Sequence, residues 1–201
     1  KIFVLFGILV FSTACNKDQI LVESVFKTTP VAFPQPTNFP KPSLPADNPL
    51  TKEGINLGRH LFFDKRLSGD NTQSCSSCHL QENNFADPRQ FSVGIDGSVG
   101  DRNAMILSNL AWQDFFFWDG RSFSMEHQAL QPVENPIEMK ALWPDVIEKL
   151  KADPVYQELF SAAFGRNAIT KENAAKAIAQ FERMMVSANS KFDQWKRGQY
   201  Q

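Results

Sequence analysis

Cysteine is scarce in this chain of 201 residues: Cys15, Cys75 and Cys78 are the full set, so no second pair is available to complete a four-cysteine metal site. Histidine is as rare, limited to His60, His79 and His127. Excess charge is missing too. The 21 Lys and Arg against 22 Asp and Glu leave a net charge of −1, which removes the electrostatic basis for nucleic-acid binding. No apolar run is long enough to span a bilayer, which takes about 20 residues; the longest, Ile2 to Phe11, stops well short. No convincing alternating pattern of a β-strand occurs either. With 42% hydrophobic residues the chain can still bury one good core, and the expected fold class is all-α.

Against that sparse background, Cys75-Ser76-Ser77-Cys78-His79 stands out. Two thiols at this spacing can add across the two vinyl groups of a haem, and a histidine directly after the second is placed to bind the iron from one face. This is the attachment signature of a c-type haem. Zinc binding and dithiol redox chemistry are the competing readings of a C-x-x-C pair; zinc lacks its second ligand pair here, and thioredoxin-like motifs sit in a βαβ pattern that is absent.

The first 15 residues read as a targeting element: Lys1, the apolar run, then small Ser12, Thr13 and Ala14 before Cys15. Such a signal resembles that of bacterial lipoproteins, in which the cysteine becomes the lipidated first residue, although Ser12 stands where leucine is usual. An ordinary signal with a nearby free cysteine is the alternative. Either reading expects a location outside the cytoplasm, at the periplasmic side or the cell surface, and the lipoprotein reading adds membrane attachment through a lipid on Cys15. From 16 to 48 the chain is crowded with Pro30, Pro34, Pro36, Pro40, Pro42 and Pro45 and has no sustained period, which reads as a Pro-rich tether. A packed arm anchored by Val31, Phe33, Phe39 and Leu44 is the competing reading.

The remainder, 49–201, reads as helices joined by long loops. Thr51 is an N-cap for a helix with Ile55, Gly58, Leu61 and Phe62 on one face. Residues 64–102, broken by Gly69, Pro88, Gly94, Gly97 and Gly100, form a loop-rich stretch around the haem motif, where the cofactor replaces part of the core. Helices are expected over Ser122 to Leu130 and over Trp143 to Ala152. Another starts at Asp153-Pro154, with Val155, Leu159, Phe160 and Ala163 inward and Gly165 past its end. A last one follows Thr170 and buries Ala174, Ile178, Phe181 and Met185. His60 is expected to pack among apolar neighbours, and His127 to lie on a helix surface.

Several short stretches, in order, resemble the N-terminal haem domain of the bacterial di-haem cytochrome c peroxidase and MauG family. They are Leu57-Gly58-Arg59 leading to Leu61-Phe62-Phe63-Asp64, Arg66-Leu67-Ser68, the haem motif, Phe85-Ala86-Asp87 and Val93-Gly94. Asp101 to Ala104, Phe117 to Arg121, and Gln128 through Pro132 to Glu138-Met139 follow. The end, with Phe181-Glu182-Arg183 and Lys191-Phe192-Asp193, is similar to the close of that family's first domain, so a second haem domain with its own attachment motif is expected beyond it. The expected fold is thus a c-type cytochrome-like helical domain with long loops around a covalently bound haem.

The resemblance implies hydrogen peroxide reduction to water at this haem, with electrons from a small redox protein such as a cytochrome or copper protein. Glu138 matches the family's acid-base glutamate, since moving a proton between the two peroxide oxygens calls for a carboxylate on the open face. Gln128 and Pro132 match residues lining the same pocket. Trp118 matches a tryptophan between the haems that relays electrons, and Asn103 a position that helps bind a calcium ion between the domains. The competing readings are a solvated loop charge for Glu138, helix surface and turn formation for Gln128 and Pro132, core packing for Trp118 and a structural turn for Asn103. Where many family members carry a ligating histidine after Val93-Gly94, this chain has Ile95, so the haem iron is expected to rest five-coordinate or water-bound; Met105, Met125 and Met139 are the other candidate sixth ligands. A plain electron-carrying cytochrome, or MauG-like oxidation of a protein partner, are the alternative functions. The sequence leaves room for a homodimer.

Overall fold

The Thr51 hydroxyl accepts the Gly54 N–H and starts α1, Lys52–Phe63, as its position before an apolar helical period predicts. The computed structural model describes residues 26–199. The signal-like segment and Cys15 lie outside the described residues. Besides α1 the helices are α2 (Met125–Glu134), α3 (Trp143–Lys151), α4 (Pro154–Phe164), α5 (Lys171–Arg183) and α6 (Lys191–Lys196). Among the described residues only isolated β-bridges occur and no strand forms, so the chain is all-α. No helix there is long and apolar enough to cross a membrane.

α1 lies along α5, and small residues allow the approach. A Cβ on Gly58 would sit 1.9 Å from the Ala177 carbonyl oxygen, so only glycine lets the two backbones meet there. Leu57 and Leu61 from α1, Trp143, Val146 and Leu150 from α3, Phe160 from α4, and Ala174 and Ile178 from α5 form the main core. A second apolar cluster gathers Phe62, Leu107, Leu110, Phe116 and Met125, with Cys75, Phe85, Phe181 and Met185 against it.

Several boundaries and faces differ from expectation. α2 begins after Ser124 and runs to Glu134, past Leu130, with Pro132 inside its last turn. Proline there forfeits one N–H bond, yet its fixed φ suits the helix, and its carbonyl accepts the Met139 N–H at 3.3 Å. On α4, Val155 is exposed and Tyr156 is buried instead, because the Tyr156 hydroxyl donates to Asp64 Oδ2 at 2.6 Å. On α5, Ala174 and Ile178 are buried as expected and Phe181 is only partly buried, in the second cluster; Met185, expected within this helix, falls past its end at Arg183 and packs partly buried against the same cluster. His60 is exposed rather than packed, one position off the Leu57–Leu61 stripe; His127 is exposed as expected.

The described part of the Pro-rich stretch is a packed arm rather than a free tether. Val31 N–H donates to Leu50 O and Lys52 N–H to Thr29 O, each at 2.9 Å. Phe33 and Phe39 set their rings edge-on against Trp112, whose indole N–H donates to the Pro40 carbonyl at 2.6 Å. The aromatic anchors outweigh the extended preference of the prolines.

Candidate functional site

The Cys75–His79 stretch is wound into a single tight turn. Cys78 N–H and His79 N–H both donate to the Cys75 carbonyl, and the Ser74 N–H is received by Ser77 Oγ at 3.0 Å. The turn aims Cys75, Cys78 and His79 into one cavity of about 380 Å³. Both thiols are free. Burial pushes both thiols up, so each is held as the protonated form.

His79 Nδ1 lies 3.0 Å from the Phe85 carbonyl oxygen. A carbonyl can only accept, so Nδ1 carries the proton and the Nε2 lone pair is left for a metal. Burial lowers the imidazole pKa and keeps the ring neutral, as a ligand must be. The acceptor is aimed by unusual backbone: Asn84 and Phe85 both take positive φ, 55° and 59°, and for a bulky aromatic this conformation is strained.

Glu138, Gln128 and Pro132 line the same cavity, as do Trp118, Asn103, Met105 and Met139; Ile95 is not among its lining residues, and Met125, a candidate sixth ligand, packs in the second apolar cluster instead. Glu138 is no solvated loop charge. It is half-buried, burial raises its pKa above the ordinary carboxylate value, and Arg121 and the Asn135 amide, which donates to Oε1 at 2.9 Å, act in the other direction. Its backbone is stapled on two sides: Ile95 N–H donates to the Glu138 carbonyl at 3.0 Å and Gly69 N–H to Met139 O at 2.8 Å. A Cβ on Gly94 would come within 1.9 Å of the Ile137 carbonyl oxygen, which keeps this loop pressed on the Glu138 segment. Gln128 is buried rather than at the helix surface, and Pro132 sits in the helix rather than in a turn.

Trp118 is 68% exposed, which excludes core packing; its indole N–H donates to the Asn103 carbonyl at 2.8 Å. Asn103 is a loop clamp, its amide nitrogen donating to both Asp87 O and Arg89 O. Among the described residues no group of three or more His, Cys, Asp or Glu is arranged to hold a metal ion.

Sequence reasoning missed two features of the cavity region. Asp87, with a fully buried side chain, binds Arg89 and Ser92 and braces the loop beside Cys78. Glu182 lines the cavity one helical turn after Ile178, a position that the inward period of α5 marks for burial. An acidic residue in an apolar period was the available signal.

The arrangement fits a covalently held porphyrin. Two reduced thiols and an imidazole with a free Nε2 converge on a space walled by Leu107, Ala129, Ile178 and Met139, and nothing in the donor set resembles a four-ligand zinc site. Residues 52–201 match the family described as di-haem cytochrome c peroxidase, and the chain belongs to that family. It is 37% identical over 166 residues to cytochrome c peroxidase Ccp of Escherichia coli (strain K12), covering 82% of this chain and 36% of that protein. It is 40% identical over 167 residues to methylamine utilization protein MauG of Methylorubrum extorquens, covering 83% of this chain and 46% of that one. A crystal structure of a MauG-like protein associated with microbial copper homeostasis superposes with a TM-score of 0.79 at 37% identity, over 85% of this chain and 51% of that one. The chain thus spans about half or less of the length of these proteins.

Proposed function

We propose that the chain is the peroxidatic haem domain of a di-haem cytochrome c peroxidase, reducing hydrogen peroxide to water with electrons from a small redox protein. The observation that carries this reading is the convergence of Cys75, Cys78 and His79 with a half-buried, weakly acidic Glu138 in one cavity. Cys75 and Cys78 hold haem c through thioether bonds, and His79 Nε2 binds its iron. When bound, the iron porphyrin supplies the redox centre at which peroxide is cleaved. Glu138 accepts a proton from one peroxide oxygen and returns it to the other; a raised pKa suits both halves of that task. Gln128 orients the peroxide and Pro132 shapes the pocket. Trp118, exposed at the cavity edge, passes electrons from the second haem domain. Ile95, where many family members carry a ligating histidine, would supply no ligand to a bound haem iron. Asn103 contributes its amide oxygen to a calcium ion whose other ligands come from the second domain. Cys15 anchors the protein by a lipid on the periplasmic side or cell surface.

The balance is one H2O2, two electrons and two protons giving two H2O. The test is stopped-flow mixing of the reduced full-length protein, matured with covalent haem, with hydrogen peroxide. Fast reoxidation supports the peroxidase; its absence with haem attached favours an electron carrier. MauG-like oxidation of a protein partner is the second reading, favoured by the 40% identity to MauG of Methylorubrum extorquens, and predicts a radical on the partner after peroxide addition.

A further inference from the structure

α5 buries two charged residues side by side. Glu182 is 4% exposed and Arg183 5%. Arg183 Nη2 donates to Glu126 Oε1 at 2.7 Å, but its Nη1 has no partner, and neither has Glu182 Oε2. A buried carboxyl oxygen with no donor is costly, and its persistence calls for an explanation. Glu182 lines the cavity assigned above to the porphyrin and acts electrostatically on the Cys75 thiol. The carboxyl therefore borders the space the macrocycle fills.

The charged surroundings of Glu182 come from several elements. Arg183, its neighbour on α5, favours the ionised form, and Glu126 from α2 opposes it. The buried positions of α1, packed along α5, carry no charge. On the attachment turn Cys75, Cys78 and His79 are titratable, and Glu182 acts on Cys75 among them; the other charged residues lining the cavity are Glu138, the acidic Asp101 and Asp119, and the basic Arg102 and Arg121. Burial outweighs Arg183 and pushes the Glu182 carboxyl up to about 8.

We infer that Glu182 is a redox-linked proton site of this cavity, taking up a proton when the domain is reduced and releasing it on oxidation. The reading rests on the haem assignment of the proposed function. In the step, one electron enters from a redox-protein donor and one proton is transferred from hydronium or a buffer acid of the solvent to a Glu182 carboxylate oxygen. The acid's bond to hydrogen breaks as the carboxyl O–H forms, and its conjugate base remains in solution. An ionised carboxylate beside the macrocycle favours the more positive, oxidised state, so proton and electron enter together. One of the two protons that peroxide reduction consumes is then already in the cavity.

The test is a spectroelectrochemical titration of the haem-loaded full-length protein and its Glu182→Gln variant on both sides of pH 8. In the wild type the potential of this haem is expected to fall with rising pH, approaching a tenfold change in the reduction equilibrium per pH unit, about 59 mV for one electron. The variant is expected to lose that slope and to keep the higher potential at alkaline pH. Equal slopes in both proteins, with porphyrin attached, overturn the inference and leave the proposed function standing; maturation without covalent porphyrin overturns both. Should the variant fail to fold, the reduced-minus-oxidised infrared spectrum of Glu138→Gln decides. A carboxylic-acid carbonyl band gained on reduction supports the proton site, and its absence overturns it.

Discussion

The helical half of the molecule and the loop half between α1 and α2 are built on different principles. In the first, α1, α3, α4 and α5 close their hydrogen bonds internally and are joined by side chains with almost no exposure, such as Leu57, Trp143 and Phe160. In the second, residues 64–124, no element is longer than a 3-10 turn, and the backbone is held by polar clamps. Asp87 grips Arg89 and Ser92, Asn103 bridges two carbonyls, and Gln73 Nε2 donates to Val93 O. Asn71, Asn84, Phe85, Asn109 and Phe117 in this half all adopt positive φ. The cavity lies mainly between this half and the inner faces of α2 and α5. The loop half is arranged around a space, so its cohesion depends on what fills it, whereas the helical half carries its own core.

The sharpest way to break this comparison is to remove the attachment. The double substitution Cys75→Ser, Cys78→Ser is expected to abolish covalent haem entirely, read as the loss of the added mass. Limited proteolysis should then cut within 64–124 much faster while the far-ultraviolet helical signal persists. Equal cutting in both halves would show that the loops stand without the cofactor. Next in size, Glu138→Gln is expected to slow reaction with peroxide by about 10²- to 10⁴-fold at unchanged haem content and unfolding midpoint, measured by stopped flow and denaturant titration. In the helical half, Phe160→Ala should lower unfolding stability by about 3–5 kcal/mol, since its ring is fully buried in the main core. The haem spectrum of the molecules that remain folded should not change.

The same division explains how much could be foreseen from the residues alone. Caps and periods are local, so Thr51, Asp153-Pro154 and Thr170 announced their helices with starts correct to the residue. Tyr156 escaped because its inward turn depends on Asp64, distant in sequence. In the loop half the motif Cys75–His79 was readable because thioether chemistry demands that spacing. The resemblance singled out Glu138, Gln128, Pro132 and Trp118, which the fold brings to one cavity. The clamp at Asp87, the left-handed Asn84-Phe85 pair and the burial of Glu182 were not readable, since each depends on loops meeting across the cavity. The Pro-rich stretch left two readings open for a related reason: proline density describes the chain's stiffness, while Phe33 and Phe39, the anchors of the packed-arm reading, decide where it lies.

A smaller effect separates local from shared support. Thr170→Ala removes the hydroxyl that accepts the Asn173 N–H at 3.2 Å and should cost about 1 kcal/mol, read in denaturant. The loss should be the same in protein matured with and without haem, because the cap belongs to α5 alone.

The subtlest test falls on the joint between the halves. Asp64 ends α1 and opens the loop half, and its carboxylate receives Arg66 and the Tyr156 hydroxyl of α4. Burial alone would raise its pKa, but these hydrogen bonds overcome burial and hold it below the ordinary value of 3.8. A carboxylate with a depressed folded pKa contributes stability that is complete above its unfolded value and is lost as pH falls through the folded one. The stability difference between the wild type and Asp64→Asn should therefore be constant near neutral pH and shrink below the ordinary carboxylate range. Because Arg66 is partly exposed, solvent screening keeps the charge contribution small, on the order of 1 kcal/mol or less. Denaturant titrations of both proteins along an acid series measure it. A difference that stays flat into acid would place the worth of Asp64 in its shape at the end of α1 rather than in its charge.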